Sequence, residues 1–194
     1  MDTINIQKEN VIKAYNNSNE EQKKMLETIF GKELFKPKDI TERIKTFTDA
    51  CRELGDKHPY VMQWAACETA FIGNKQTADF IAYLKLRIIT AVLNEGWEPQ
   101  FIKGEQRWYY WYDFITKEQY DNLDDKSRAV LRSNYNAYAN GGLVFANANN
   151  ASSNSYTNYG SRLAFKSEKL ARYAAKQFIE IYADFCFRPE EKAE

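Results

Sequence analysis

Apolar residues in the first half of the chain recur every three or four positions, the interval at which side chains share one face of an α-helix. Gly31, Gly55 and Gly96 each follow such a segment, and glycine commonly ends a helix because it accepts a left-handed backbone. We therefore expect residues 1–96 to form a helical bundle around a long central helix with a wide apolar stripe. The predicted helices cover about residues 4–16, 19–30, 40–54, 60–71 and 74–94.

The pattern changes from helical to strand-like in the second half of the chain. Residues 107–115, RWYYWYDFI, are dense in the aromatic residues that favour β-strands. Two further strands are predicted, at 143–148, LVFANA, and at 161–166, SRLAFK. In the latter, Ser161, Leu163 and Phe165 alternate with Arg162, Ala164 and Lys166. A polar helical piece over 116–132 separates the first two strands, and the Asn- and Ser-rich residues 147–160 predict a long exposed loop before the third.

The chain closes with a predicted helix that Ser167 can cap and that ends before Pro189. Its apolar residues recur at helical spacing, so they form a stripe that can pack on the sheet. The whole pattern predicts one α+β domain over residues 1–194. Its second part, 97–188, is expected to be a small antiparallel aromatic-rich sheet of about three strands packed by the C-terminal helix, and 189–194 a solvated tail.

The balance of charges limits the partners that the protein can have. Lys plus Arg and Asp plus Glu each number 27, and a net charge of zero argues against duplex nucleic acid as a partner. No apolar run approaches the length of a membrane span, and the N-terminal residues show no secretion signal, so no membrane partner is expected. Three widely spaced cysteines are typical of a reducing compartment, which predicts a cytoplasmic protein.

The usual catalytic and cofactor motifs are missing from the sequence. There is no GxxxxGK[ST] loop and no GxGxxG, so no nucleotide cofactor is predicted. Without a CxxC pair, and with His58 as the single histidine, no metal site is expected. We therefore predict a protein that is not an enzyme; a hydrolase or transferase of unknown substrate, using His58 or Glu68, is the alternative.

Alternation along two predicted strands indicates a candidate binding surface. Tyr109 and Trp111 share one face of the first strand, and Arg162 and Lys166 share one face of the third. Flat rings beside cations are suited to a small polar ligand such as a nucleotide or a sugar, because rings stack and cations bind phosphate or carboxylate.

The Asn-rich loop completes the predicted site through Asn147, Tyr156 and Tyr159, since amides and phenols both donate and accept hydrogen bonds. Two other interpretations stay open at this point. The second aromatic face of the sheet can instead pack on the front helices while Arg162 pairs with a helix acid. The same surface can also be a contact between subunits of a homo-oligomer, or with another protein, because exposed Tyr, Trp and Arg dominate such interfaces.

Several stretches of the chain resemble a family of uncharacterised proteins common in phages and prophages of gut Bacteroidetes. The stretches are ITERIKTFTDACRELG, AYLKLRIITAVLNEGWEP, the aromatic strand and YGSRLAFKSEKLARYAAKQFIEIYADF, which together span most of Ile40 to Phe185. Similar sequences often carry Cys and Gly where this chain has Ala164 and Ala175. The resemblance implies a setting in the cytoplasm of an infected bacterium. It fits an accessory protein that binds host molecules, including nucleotide signals of antiviral defence, and it also fits a virion component.

Overall fold

The computed structural model describes residues 5–100, 102–115, 118, 122, 142–151 and 161–186, and this part of the chain is rich in α-helix. The chain divides into two compact units, Met1–Arg43 and Ile44–Glu194. The expectation of one domain stays a prediction. The predicted tail over 189–194 lies outside the described residues, as does the predicted helix over 116–132 except for Glu118 and Asn122.

The first unit consists of short helices with few buried side chains. Asn19 caps the second of them by accepting from the backbone N–H of Gln22 at 3.0 Å, and the Gln22 side chain accepts from Asn19 in return. Tyr15 links two segments of the unit, because its ring stacks on Phe35 at 4.1 Å and its hydroxyl donates to Glu27 at 2.7 Å. The elements are α1 (Lys8–Asn16), α2 (Glu20–Phe30), a 3-10 turn (Lys32–Phe35) and α3 (Ile40–Arg43).

The predicted helix over 40–54 is wrong as a single element, because the chain leaves the helical path after Arg43 and restarts at Phe47. Thr46 explains the restart. Its hydroxyl accepts from the backbone N–H of Asp49 at 3.1 Å, and the Asp49 carboxylate accepts from the Thr46 backbone at 2.9 Å. This reciprocal pair of bonds gives acceptors to two backbone N–H groups that would otherwise lack a hydrogen-bond partner at the start of a new helix.

Helices of the second unit pack around the longest helix that the structure describes there, which has the central position that the sequence predicts. Its buried face includes Leu86, Ile88 and Ile89, none of which exposes any measurable surface. This helix contacts the two helices before it and both helices at the C-terminal end of the described chain. The helices are α4 (Phe47–Leu54), α5 (Pro59–Ala70), α6 (Ala78–Leu93), α7 (Glu168–Gln177) and α8 (Ile179–Cys186).

Two aromatic and Asn-rich strands form an antiparallel ribbon in the second unit. Strand β1 (Arg107–Ile115) pairs with β2 (Gly142–Ala151), and the register shifts between Trp111 and Tyr112. The β2 strand extends three residues beyond the predicted 143–148, so residues 147–151 belong to a strand and not to the predicted loop. The remainder of that loop, 152–160, lies outside the described residues.

The third predicted strand, 161–166, does not form. Ser161–Leu163 is a 3-10 turn, and Phe165 makes a single antiparallel bridge to Trp108, with N···O distances of 3.0 and 2.9 Å. The expected alternation is absent because Ala164 is fully buried between the buried Leu163 and Phe165. The structure therefore shows a two-stranded ribbon with one added bridge, in place of the expected sheet of about three strands.

The C-terminal helix is also interrupted, at Phe178, where the backbone dihedral angles depart from helical values (φ −117°, ψ 32°). The Ala175 carbonyl, which an unbroken helix would offer to Ile179, accepts the hydroxyl of Tyr112 at 2.8 Å. Phe178 is buried at this break.

Among the described residues, no helix has both the length and the apolar composition needed to cross a membrane.

Candidate functional site

The aromatic ribbon is fixed to the helices by the side chain of Asn94, which follows α6 directly. Asn94 is buried, donates to the Ala164 carbonyl at 2.8 Å and accepts from the Lys166 backbone N–H at 3.0 Å. These two groups flank Phe165, whose own backbone bonds Trp108 on the other side. The Asn94 amide therefore makes the two hydrogen bonds that a neighbouring strand would otherwise make to the backbone on this side of Phe165. These bonds fix the segment that bridges to β1.

Tyr109 is not available to a ligand, contrary to its place in the predicted binding surface. Its exposed fraction is 2%, and its ring packs with Ala164 and the half-buried Trp97. Burial raises the pKa of the Tyr109 hydroxyl, although the neighbouring Arg107 acts in the opposite direction. Arg107 is itself buried, with a guanidinium nitrogen 3.6 Å from the carboxylate of Glu105. This part of the second aromatic face belongs to the core.

The other face of β1 packs beneath the C-terminal helices. Tyr110 and Tyr112 are buried, and their ring centroids lie 5.2 Å apart. The Tyr112 ring also lies 5.5 Å from that of Tyr182 on α8, while its hydroxyl bonds the Ala175 carbonyl on α7. Desolvation raises the pKa of Tyr110. Among the described side chains of β1, Arg107, Tyr109, Tyr110 and Tyr112 are thus buried, and they come from both faces of the strand.

Trp111 differs from its neighbours because 38% of its surface stays exposed. It lies at the register shift of the ribbon: Trp111 pairs with Asn147, whereas Tyr112 pairs with Phe145, so Ala146 is an extra residue in β2. Such bulges increase the local twist and redirect side chains, and they are frequent beside functional sites. The structure therefore brings two predicted site residues, Trp111 and Asn147, to directly opposed backbone positions.

The two predicted cations have different environments. Arg162 is exposed on the 3-10 turn, whereas the ammonium of Lys166 donates to the carboxylate of Glu95 at 2.9 Å. The expected pairing of Arg162 with a helix acid is not seen among the described residues; the ion pair is made by Lys166, and its partner Glu95 lies in the turn after α6. Because the bridge between Trp108 and Phe165 is antiparallel, the chain running back to Arg162 leads towards the Trp111 end of β1. Tyr156 and Tyr159 lie outside the described residues.

The residues of the alternative catalytic hypothesis have structural contacts. His58 caps α5, where its Nδ1 accepts from the backbone N–H of Tyr60 at 3.2 Å. Glu68 accepts from the indole of Trp64 at 3.2 Å and lies 3.6 Å from the ammonium of Lys85. Ten residues separate His58 from Glu68 along this helix, a rise of about 15 Å, so the two side chains cannot share one proton.

Metal-ligating and thiol chemistry is sparse in the described part of the chain. No group of three His, Cys, Asp or Glu side chains converges there as metal ligands would. Cys51, Cys67 and Cys186 are all half-buried free thiols. Burial raises the pKa of Cys186 to about 11, which keeps that thiol protonated and unreactive at neutral pH.

The anchoring role of Asn94 could not be found by sequence reasoning, which treated the residue only as part of a helix end. Its partners lie 70 and 72 positions away, and no local pattern connects them.

Comparisons with protein-family models, with curated proteins and with solved structures find no match to this chain.

Proposed function

We propose that the protein is a non-enzymatic accessory protein of a phage or prophage, acting in the host cytoplasm, and that it binds a small polar ligand at the Trp111 end of the ribbon. The observation that supports this most is the exposure of Trp111 on a strand where Tyr109, Tyr110 and Tyr112 are buried. Burying an aromatic ring of this size normally stabilises a protein. Because 38% of Trp111 stays exposed, its indole ring offers a surface on which a ligand can stack.

The surroundings of Trp111 favour a nucleotide or a sugar. Asn147 lies opposite it in the strand register, and the exposed Arg162 supplies a cation on the turn that leads towards the same end of β1. Indole rings stack on nucleobases and on sugar faces, and a guanidinium binds phosphate through paired hydrogen bonds. Tyr156 and Tyr159 complete the proposed site. A nucleotide signal of host defence is the ligand that the resemblance to phage proteins favours.

A thermal-shift screen against nucleotides and sugars tests this function. A ligand at 100 times its dissociation constant is expected to stabilise the protein by about 2.7 kcal/mol. Replacing Trp111 by Ala removes the stacking surface, which is worth about 1–3 kcal/mol of binding energy. Phe80, whose exposed fraction of 41% matches that of Trp111, provides the control substitution Phe80→Ala. Absence of any ligand shift, or equal shifts in W111A and wild type, would exclude the proposed site.

A protein-contact function is the second candidate, and the composition of α5 favours it. Glu68 is the one charged residue of that helix, and it pairs with Lys85. Met62 on the helix and Ile72 just beyond it expose 58% and 85% of their surfaces. Uncharged exposed surface of this kind is typical of an interface between subunits or with a partner, as in a virion. Mass photometry that found large assemblies, disrupted by Met62→Asp, would support this function in place of ligand binding.

A further inference from the structure

A cavity of about 380 Å³ lies in the second unit, beside the break between α7 and α8 and against the segment that precedes α4. Its volume falls in the range of small-molecule sites in proteins. None of the predicted site residues that the structure describes lines it. The cavity is therefore a second candidate site, independent of the ligand site proposed at Trp111.

Two hydrogen bonds hold the wall of the cavity in place, and a cation–π contact lies beside them. The hydroxyl of Tyr173 donates to the carbonyl of Ile44, and the side-chain amide of Gln177 donates to the carbonyl of Lys45 at 2.7 Å. The ammonium of Lys45 lies 5.6 Å from the centre of the Tyr173 ring, a cation–π distance. The segment before α4 is thereby fixed to α7, so the cavity exists before any ligand arrives.

The lining combines an apolar wall with two opposite charges. Phe47, Phe178 and Ile181 supply the apolar part, and Phe178 is buried at the helix break. Lys45 and Glu180 also line the cavity, both with exposed side chains, yet they do not pair with each other within ion-pair distance. A cation and an anion that line one apolar cleft without pairing can each receive a complementary charge of one ligand.

We propose that this cavity binds a small zwitterion with an apolar side chain, of the size of a hydrophobic α-amino acid. The ligand carboxylate meets the ammonium of Lys45, the ligand ammonium meets the carboxylate of Glu180, and the side chain packs on Phe47 and Phe178. A simple carboxylate would be repelled by Glu180, and a simple amine by Lys45. The pair of lining charges therefore selects for a ligand that carries both.

Chemical-shift mapping of backbone amides during titration with L-phenylalanine and L-leucine tests the proposal. Saturable shifts are expected at residues 45–47 and 177–181. The analogues 3-phenylpropanoate and 2-phenylethylamine each lack one of the two charges, and each is expected to bind about tenfold more weakly than phenylalanine. No saturable shift at roughly 10 mM amino acid, or shifts confined to other residues, would overturn the proposal.

Two charge-removing variants separate this site from general effects. Lys45→Met keeps the aliphatic stem and the backbone bond to Gln177, and Glu180→Gln keeps the shape of the side chain. Each is expected to weaken phenylalanine binding about tenfold while the spectrum of the free protein stays that of the folded state. Lys176→Met, an exposed position of α7 outside the cavity, is the matched control and should bind as wild type does. Equal affinity in wild type and in both variants would contradict the proposal.

Discussion

Asn94 donates a hydrogen bond from its side-chain amide to the carbonyl of Ala164 at 2.8 Å, across 70 positions of the chain. The same amide accepts from the Lys166 backbone, so the end of α6 and the bridge to β1 form one unit. This contact joins the segment that bridges Trp108 of β1 to the end of α6.

The first prediction concerns the stability that Asn94 confers. Asn94→Ala leaves a buried carbonyl and a partly buried N–H without the amide, so the free energy of unfolding should fall by about 2–4 kcal/mol. Urea unfolding followed by circular dichroism measures the change. Asn10→Ala, on the exposed surface of α1, should stay within about 0.5 kcal/mol of wild type. Equal effects of the two substitutions would show that the Asn94 contacts contribute nothing.

The second prediction concerns the hydroxyl of Tyr112, which connects β1 to the break between α7 and α8. Tyr112→Phe keeps the ring contacts but leaves the Ala175 carbonyl without that donor, so we expect a loss of about 1 kcal/mol in unfolding free energy. Tyr83 lies against Phe185 with a ring separation of 6.2 Å, and Tyr83→Phe is the matched control. If both variants match wild type in urea, the hydroxyl does not hold the helix break against the strand.

Much of the helical part could be predicted because its signals are local. Gly31 and Gly55 have φ angles of 82° and 88°, as helix-ending glycines require, and the apolar face of α6 is buried as its spacing indicates. The break at Thr46 was missed because the apolar spacing continues through it. A capping pair at Thr46 and Asp49 was the local signal that should have revealed the new helix start.

The ribbon could be predicted only in outline, since its packing is set by distant residues. Both faces of β1 are aromatic, and a sequence cannot tell how far other elements cover each of them. On the face predicted to carry both Tyr109 and Trp111, the structure buries Tyr109 and leaves Trp111 exposed. Alternation over 161–166 was misleading because Ala164 is small enough to be buried in either phase. The alternation predicts Lys166 as a cation of the binding surface, and its partner Glu95 could not be predicted because it lies 71 positions away.

The third prediction concerns alkaline pH and Cys186. Burial raises the pKa of this thiol from 9.0 to about 11, so the folded protein disfavours the thiolate. The stability linked to this group is therefore fully present below pH 9 and is lost as the pH rises towards 11. Unfolding free energies of wild type and Cys186→Ala, measured across this range, should converge as the pH rises. A constant difference between the two proteins would contradict the assigned cause.

Ligand binding at the exposed ring of Trp111 can be observed by fluorine NMR. The chain has four tryptophans, so protein labelled with 5-fluorotryptophan should give four resonances, and Trp111→Phe identifies the one from the site. On titration with the nucleotide or sugar that stabilises the protein most, the Trp111 resonance should move saturably. The resonance of Trp64, whose indole bonds Glu68 on α5, should stay in place. A Trp111 resonance that does not respond to any stabilising ligand, or that moves no more than the Trp64 resonance, would show that the ligand does not bind at Trp111.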